Sequence, residues 1–307
     1  MATPPLTRAA LPSEPELRAF ASAAAQLLIE RQPRTAGTRT VSRRAGVGLQ
    51  HLDHRDYMPG DAVRHIDWRQ TARRRLPIVR RFEAESMSDW TIVLDASSSM
   101  AVPGAAGLQT PSPTKWQAAV HMAAALSYAL LHLGHRVGLL VFGERVRAEC
   151  PRGRGQHHYA ALVRLLTTLQ PAALGERSEL GVCAPHLKGA ASVFALSDFL
   201  ADDEMCRDLG ALVQRCTSLH AVQLSDAAET RLQAVGEFDL VDVETGARAP
   251  VHAGEQAHAQ ATAERAAMTA RLRSYCARSG VAFTDWDIAT PWQHALLQHL
   301  VRARSHC

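Results

Sequence analysis

Residues 91–94 form a short run of apolar or β-branched side chains that ends at Asp95. Such a run is typical of a strand buried on both faces of a sheet. Further runs of this kind occur at 136–142, 191–196, 219–224 and 281–286, with a short partner strand at 146–150. Segments with helical character separate them, and repeated strand–helix units favour a mostly parallel sheet covered by helices on both faces. The pattern therefore predicts an α/β fold.

The helices predicted between and around these strands lie at 15–31, 114–133, 157–170, 179–188, 203–216, 255–279 and 291–304. The first of them carries its apolar residues on one stripe. Residues 230–252 are predicted to form a β-hairpin with its turn at Glu244-Thr-Gly246. The proline-rich residues 1–14 are predicted to be disordered.

These elements predict three regions along the chain. Residues 1–14 are the disordered N-terminus, and residues 15–89 contain the first helix and a charged extension. Residues 90–304 form the α/β domain, with the hairpin near 230–252 as a small insert.

The composition is that of an ordinary globular protein, with 47% hydrophobic and 21% charged residues among 307. A net charge of +4 is too small to imply a nucleic-acid partner. The six cysteines form no Cys-x-x-Cys pair, which favours reduced thiols. No signal peptide and no apolar stretch of about 18 residues is found. We therefore expect a cytoplasmic protein without a transmembrane segment.

The segment Asp95-Ala-Ser-Ser-Ser99 follows the predicted central strand. Ligands bind at the carboxyl ends of strands in open α/β sheets. The Asp95 carboxylate with the Ser97 and Ser99 hydroxyls would form an all-oxygen site suited to Mg²⁺, or to another divalent cation such as Mn²⁺ or Ca²⁺. The alternative is a strand end whose polar side chains only cap the next helix.

Two further loops are expected at the same edge of the sheet, and they carry Ser178 and Asp198. Together with the Asp-x-Ser-x-Ser order, this set resembles the metal-ion-dependent adhesion site of von Willebrand factor A domains. In that family the third loop normally supplies a threonine, and Ser178 retains its hydroxyl. The resemblance implies a Rossmann-like von Willebrand A fold. It also implies that a partner protein contributes a carboxylate to an open position on the metal.

A narrower resemblance lies upstream, in Arg55-Asp-Tyr-Met-Pro-Gly-Asp61, Arg64-His-Ile-Asp-Trp68, Thr71-Ala-Arg73 and Val79-Arg-Arg-Phe-Glu83. This pattern resembles the bacterial family called domain of unknown function 58, over roughly residues 36–225. Gln50-His51 and Arg74 depart from the family pattern. The resemblance implies a MoxR-type AAA+ ATPase as partner and a chaperone-like role in the assembly or maturation of protein complexes.

The upstream block mixes arginines with acids, which favours bidentate ion pairs, with Trp68 and Tyr57 as packing anchors. One interpretation is a polar scaffold that braces the central strand, and another is a partner-docking surface. A nucleic-acid surface is disfavoured because the acids would repel phosphate. The candidate partner-binding residues are Arg55, Asp61, Arg64, Asp67, Trp68 and Arg73.

Two other functional classes stay open. A metal-dependent phosphatase could use Asp95 as its nucleophile, but such enzymes commonly place a second acid two positions later, where this chain has Ser97. We therefore expect no enzymatic activity. A scaffold whose metal site binds nothing is the other possibility. Glycine-rich nucleotide-binding motifs are absent from the sequence, so no nucleotide cofactor is expected.

Overall fold

A computed structural model describes the protein at residues 11–28, 50–57, 66–74, 77–83, 88–102, 113–172, 174–190, 192–200, 203–226 and 236–305. The chain divides into two compact units, one formed by residues 1–29 and 88–307 and the other by residues 30–87. Most of the segment predicted to be disordered, residues 1–10, lies outside the described residues.

The described helices are α1 (Glu14–Leu28), α2 (Trp68–Arg74), α3 (Lys115–His132), α4 (Gly155–Thr168), α5 (Asp203–Val213), α6 (Glu255–Arg278) and α7 (Trp292–Ser305). The described strands are β1 (Gln50–Asp56), β2 (Ile78–Glu83), β3 (Asp89–Asp95), β4 (Arg136–Phe142), β5 (Val146–Gly153), β6 (Ser192–Ser197), β7 (Ser218–Ser225), β8 (Gly236–Val241), β9 (Arg248–Ala253) and β10 (Ala282–Asp287).

Six strands of the larger unit form its central sheet, in the order β10-β7-β6-β3-β4-β5. The first five run parallel, and β5 pairs antiparallel with β4. The predicted mostly parallel sheet is confirmed. Strand β3 lies between β6 and β4, so its carboxyl end opens at the middle of one sheet edge.

A hydrophobic core lies on each face of this sheet. Ile92 and Leu94 of β3 belong to the core that contains residues of α1, α3 and α7. Val93, on the opposite face of the same strand, belongs to the core that contains residues of α5 and α6. Alternate residues of a strand point to opposite faces. Burial of both sets explains why β3 is apolar throughout.

The structure differs from the sequence prediction in several details, of which the following bear on the site and on the division of the chain. The segment 179–188, predicted as a helix, forms a 3₁₀ helix at Leu180–Leu187 that contains Pro185. Proline lacks the N–H that a continuing α-helix needs, so a short tighter helix results. Strand β5 continues to Gly153, beyond its predicted end at Cys150. Helix α1 belongs to the sheet unit, where Phe20 contacts Trp292 with ring centroids 5.2 Å apart, whereas the predicted region 15–89 groups this helix with the extension.

The smaller unit contains β1 and β2, paired antiparallel from Gln50↔Glu83 to Asp56↔Ile78, and the short helix α2. The predicted hairpin insert is present in the larger unit, where β8 pairs antiparallel with β9. Among the described residues, no helix combines the length and apolar character that crossing a membrane requires.

Candidate metal centre

Asp95 ends β3 and is completely buried. The backbone N–H of Ser97 donates to Asp95 Oδ1 at 2.8 Å. The hydroxyls of Ser178 and Ser197 each donate to Asp95 Oδ2 at 2.6 Å. Three donors, from two loops and the end of β6, therefore fix this carboxylate at the carboxyl edge of the sheet, where the sequence predicted it.

The loop after β3 is tied to the loop that carries Ser178. Ser98 N–H donates to the Glu176 carbonyl at 3.1 Å, and Glu176 N–H donates to Ser98 Oγ at 3.0 Å. Ser97 Oγ and Ser99 Oγ lie 3.1 Å apart. The predicted residues Asp95, Ser97, Ser99 and Ser178 are thus brought together.

Asp198 follows β6 and is completely buried. Its Oδ2 accepts from Lys115 Nζ at 2.7 Å. Among the described residues, no donor contacts Asp198 Oδ1. A buried carboxylate oxygen is normally hydrogen-bonded or bound to a cation. Asp198 therefore offers an oxygen to a ligand that carries positive charge.

The backbone around Asp198 adopts an uncommon conformation. Phe199 has a backbone φ of 40°, which lies in the left-handed region that residues other than glycine rarely adopt. Gln223 Nε2 donates to the carbonyls of Asp198 and Phe199, at 3.0 and 3.3 Å. Phe199 N–H donates to Ser197 Oγ at 3.0 Å. These bonds and the buried Phe199 ring hold the turn that presents Asp198.

Glu244 lies in the β8–β9 turn, and its carboxylate accepts a hydrogen bond from Ser99. Burial raises the pKa of Glu244 to about 7, and the nearby Asp198 and Asp95 add to the rise although the Ser99 bond opposes it. Burial, then the charge of Asp198, raises the pKa of Asp95 to about 6 against its three hydrogen bonds. Three carboxylates therefore influence one another, and Lys115 pairs with one of them.

The oxygen atoms at this centre fit a hard divalent cation. The residues that offer them are Asp198, Ser97 and Ser99, with Asp95 and Ser178 beside them. Within the described part of the chain, no three His, Cys, Asp or Glu side chains could chelate an ion by themselves. Serine hydroxyls would therefore have to complete the coordination, which suits Mg²⁺ or Ca²⁺ far better than zinc.

Sequence reasoning missed three residues of the site: Lys115, Ser197 and Glu244. The helix predicted at 114–133 already places Lys115 in a first helical turn, and the capping-box pattern Thr114-Lys-Trp-Gln117 supports this start, but neither indicates the contact with Asp198. Ser197 directly precedes the predicted Asp198, so the sequence does place it at the same sheet edge. Nothing in the sequence indicated that the hairpin turn would lie against this edge.

The candidate partner-binding residues lie in the smaller unit. Asp67 is buried and accepts from the backbone N–H groups of Arg69 and Gln70, so it caps α2. The interpretation of Trp68 as a packing anchor is wrong, because its side chain is 65% exposed. Arg73 is exposed on α2, and Arg55 lies on β1. Asp61 and Arg64 lie outside the described residues.

A cleft of about 690 Å³ opens beside Ser178 and Glu244. Acidic side chains on its walls include Glu179 and Asp242. Apolar side chains on its walls include Leu200 and Met205. The cleft therefore borders the candidate centre at Ser178, and its charged lining is mostly acidic.

A family model described as "Protein of unknown function DUF58" matches residues 53–290. The uncharacterized protein Rv1480 of Mycobacterium tuberculosis (strain ATCC 25618 / H37Rv) is 31% identical over 207 residues. The uncharacterized protein Mb1516 of Mycobacterium bovis has the same identity over the same length. Each alignment covers 66% of this chain and 62% of the relative, so the chain spans less than two thirds of the length of these relatives.

Two solved structures are also similar to this chain. The conserved hypothetical protein BatB from Bacteroides thetaiotaomicron has a TM-score of 0.42 at 13% identity, covering 71% of this chain and 99% of its own. An aerotolerance-related membrane protein from Bacteroides fragilis has a TM-score of 0.42 at 15% identity, covering 70% of this chain and 99% of its own.

Proposed function

The chain belongs to the family described as protein of unknown function DUF58, and on this premise we propose that it is a protein-binding adaptor whose interaction depends on a divalent cation. The site is of the kind found in von Willebrand factor A domains, and Mg²⁺ is the favoured ion, with Mn²⁺ or Ca²⁺ as substitutes. The residues assigned to the ion, directly or through water, are Asp95, Ser97, Ser99, Ser178 and Asp198.

The observation that supports this proposal most strongly is that no donor within the described residues contacts the buried Oδ1 of Asp198, whose charge also raises the pKa of Asp95. Hydroxyl ligands are neutral, so a bound cation keeps positive charge towards any position that water or a partner occupies. A carboxylate from a partner protein is the natural occupant of that position.

We propose a MoxR-type AAA+ ATPase as the partner, in chaperone-like assembly or maturation of protein complexes. Membership of the family supports this assignment. The exposed Trp68 and Arg73 on α2 support a second contact, because exposed tryptophan and arginine are enriched at protein interfaces. We further propose that the adaptor acts in the cytoplasm, since the five described cysteines are free thiols.

We propose no enzymatic activity for this site. A nucleophilic carboxylate needs an unencumbered oxygen, whereas Asp95 accepts from three donors. A screen with small phosphate esters tests this point, and metal-dependent turnover that Asp95→Ala abolishes would favour the phosphatase alternative.

The test of the proposal has two steps on the full chain. Calorimetric titration with Mg²⁺ compares the wild type, Asp95→Ala and Asp287→Ala. Asp287 is a matched control because it also ends a parallel strand, β10, which two strands separate from β3. We expect binding to the wild type and to Asp287→Ala, and none to Asp95→Ala.

The second step measures binding of the purified MoxR-type ATPase from the same organism, with Mg²⁺ or with chelator. Binding that needs both Mg²⁺ and Asp95 would support the adaptor. Equal binding with chelator and with Asp95→Ala would contradict the metal-dependent interaction. No binding of Mg²⁺, Mn²⁺ or Ca²⁺ to the wild type would leave this edge as a scaffold.

A further inference from the structure

The turn between β8 and β9 has a defined shape. Asp242 N–H donates to the Ala247 carbonyl, and Gly246 N–H donates to the Asp242 carbonyl, both at 2.8 Å. Gly246 has φ of 72°, which glycine adopts without strain. The Asp242 carboxylate accepts from Glu244 N–H at 2.9 Å and from the Thr245 hydroxyl at 2.5 Å. These hydrogen bonds therefore fix the backbone conformation of the turn that carries Glu244.

A backbone bond attaches this turn to the candidate metal centre. Gly175 N–H donates to the Val243 carbonyl at 2.8 Å, and Gly175 belongs to the loop that carries Ser178. The strands of the hairpin are mostly exposed, but Glu244 is half-buried. The groups that act on the Glu244 carboxylate are polar, namely Ser99, Asp198 and Asp95. Packing against apolar side chains therefore does not explain why Glu244 is half-buried.

One oxygen of the Glu244 carboxylate accepts the Ser99 proton. Ser99 Oγ also lies 3.1 Å from Ser97 Oγ, so Ser99 connects Glu244 to the Asp95 loop. Within the described part of the chain, Glu244 Oε1 is buried and no donor contacts it. Asp198 Oδ1 is likewise buried, and no donor in the described residues contacts it. The charge of Asp198 raises the pKa of Glu244, so the two carboxylates lie near each other, and each has a buried oxygen with no donor in the described residues.

We propose that Glu244 is a metal ligand supplied by the hairpin, and that it fills the position that the proposed function assigns to a partner's carboxylate. This inference rests on the proposed function. The hairpin turn then closes the centre in the absence of a partner, and an acidic segment of the partner binds by displacing Glu244. The β8–β9 insert is therefore the element that sets the affinity of the centre for partner carboxylates.

The experiment measures Mn²⁺ binding to the full chain by electron paramagnetic resonance, with four proteins. They are the wild type, Glu244→Gln, Glu237→Gln and Asp95→Asn. Glu237 is the matched control, because it is an exposed glutamate of the same hairpin. Circular dichroism and thermal melting establish that each variant is folded.

We expect Glu244→Gln to weaken Mn²⁺ binding by about tenfold or more, because affinity follows the number of charged ligands. Glu237→Gln should stay within about twofold of the wild type, because an exposed charge is screened. Excess acetate should restore part of the lost affinity in Glu244→Gln and have no effect on the wild type. Only an opened coordination position gives this rescue.

Equal Mn²⁺ affinity of the wild type and Glu244→Gln, with binding lost in Asp95→Asn, would overturn the inference and leave the proposed function intact. Weakening without acetate rescue would also overturn it, since Glu244 would then only support Ser99. Absence of Mn²⁺ binding to the wild type would overturn both.

Discussion

Lys115 Nζ lies 2.7 Å from Asp198 Oδ2, and the two side chains are 3% and 0% exposed. The pair joins the first turn of α3 to the loop after β6, across 83 residues of sequence. Removing one partner of such a pair leaves an uncompensated buried charge. Lys115 is therefore a fixed positive charge next to the candidate metal centre, and it shares Asp198 with any ion that binds there.

Lys115→Met should destabilise the metal-free protein by about 3–5 kcal/mol, because Asp198 loses its counter-charge. It should also raise the affinity for Mg²⁺, since the ammonium no longer repels the ion or holds Asp198 Oδ2. Urea unfolding with and without Mg²⁺ measures both effects. The exposed Lys188 provides the control, and Lys188→Met should match the wild type. A loss of stability that Mg²⁺ does not reduce would contradict the shared role of Asp198.

The start of α3 determines where Lys115 points. The Thr114 side chain accepts from Gln117 N–H at 3.2 Å, and Gln117 Oε1 accepts from Thr114 N–H at 3.0 Å. Thr114→Ala removes one half of this capping box and should lower the free energy of unfolding by about 1 kcal/mol. Thr217→Ala, at an exposed position, should change it by less than about 0.5 kcal/mol. Equal urea midpoints for the two variants would contradict the role of the cap.

The buried histidines His220 and His299 should destabilise the folded protein in mild acid. His220 stacks on Phe194 at 4.5 Å, and its Nδ1 lies 3.0 Å from His299 Nε2. Burial lowers the pKa of His220 to about 4, and burial with the charge of His220 lowers the pKa of His299 well below its usual value. The unfolded chain takes up these protons near pH 6.5, so it binds more protons than the folded protein below that pH.

The two histidines should therefore contribute no pH dependence above about pH 6.5, and each should remove about 1.4 kcal/mol of stability per pH unit as the pH falls towards 4. Asp95 and Glu244, whose pKa values are raised to about 6 and 7, contribute a slope of the opposite sign, so the histidine contribution is measured as a difference between variants. Urea unfolding of the wild type and of each variant at pH 7 and pH 5 gives that difference. His299→Gln should reduce the difference between the two pH values, whereas the exposed His294→Gln should leave it unchanged. A difference that is the same in both variants would contradict the assignment to the buried pair.

The sequence predicted those parts of the site that follow from strand endings. Val93 is buried on one face of β3 and Leu94 on the other, so the strand is apolar throughout and its end at Asp95 is easily located. Asp198 was located in the same way, at the end of β6. The contribution of Lys115 and Glu244 to the site could not be predicted, because it depends on how α3 and the β8–β9 turn pack against the sheet edge. Pro185 argues against an α-helix at 180–187, whereas the apolar pattern of this segment favours one, and the structure has a 3₁₀ helix.

Ser178 and Ser197 form a natural matched pair for testing the third loop, because each donates to Asp95 Oδ2 at 2.6 Å. Only Ser178 is assigned to the ion. Ser197→Ala should weaken Mg²⁺ binding by about tenfold, as is usual when a ligand loses a supporting hydrogen bond. Ser178→Ala should weaken it further, because the same bond and a ligand oxygen are both lost.

Calorimetric titration of the two variants, with Ser178→Thr as a third, separates these effects. Threonine keeps the hydroxyl, so Ser178→Thr should bind Mg²⁺ within a few-fold of the wild type if the half-buried position admits one methyl group. Equal affinities of Ser178→Ala and Ser197→Ala would show that Ser178 only positions Asp95. The ion would then depend on Ser97, Ser99 and Asp198, with Asp95 held by two equivalent serines.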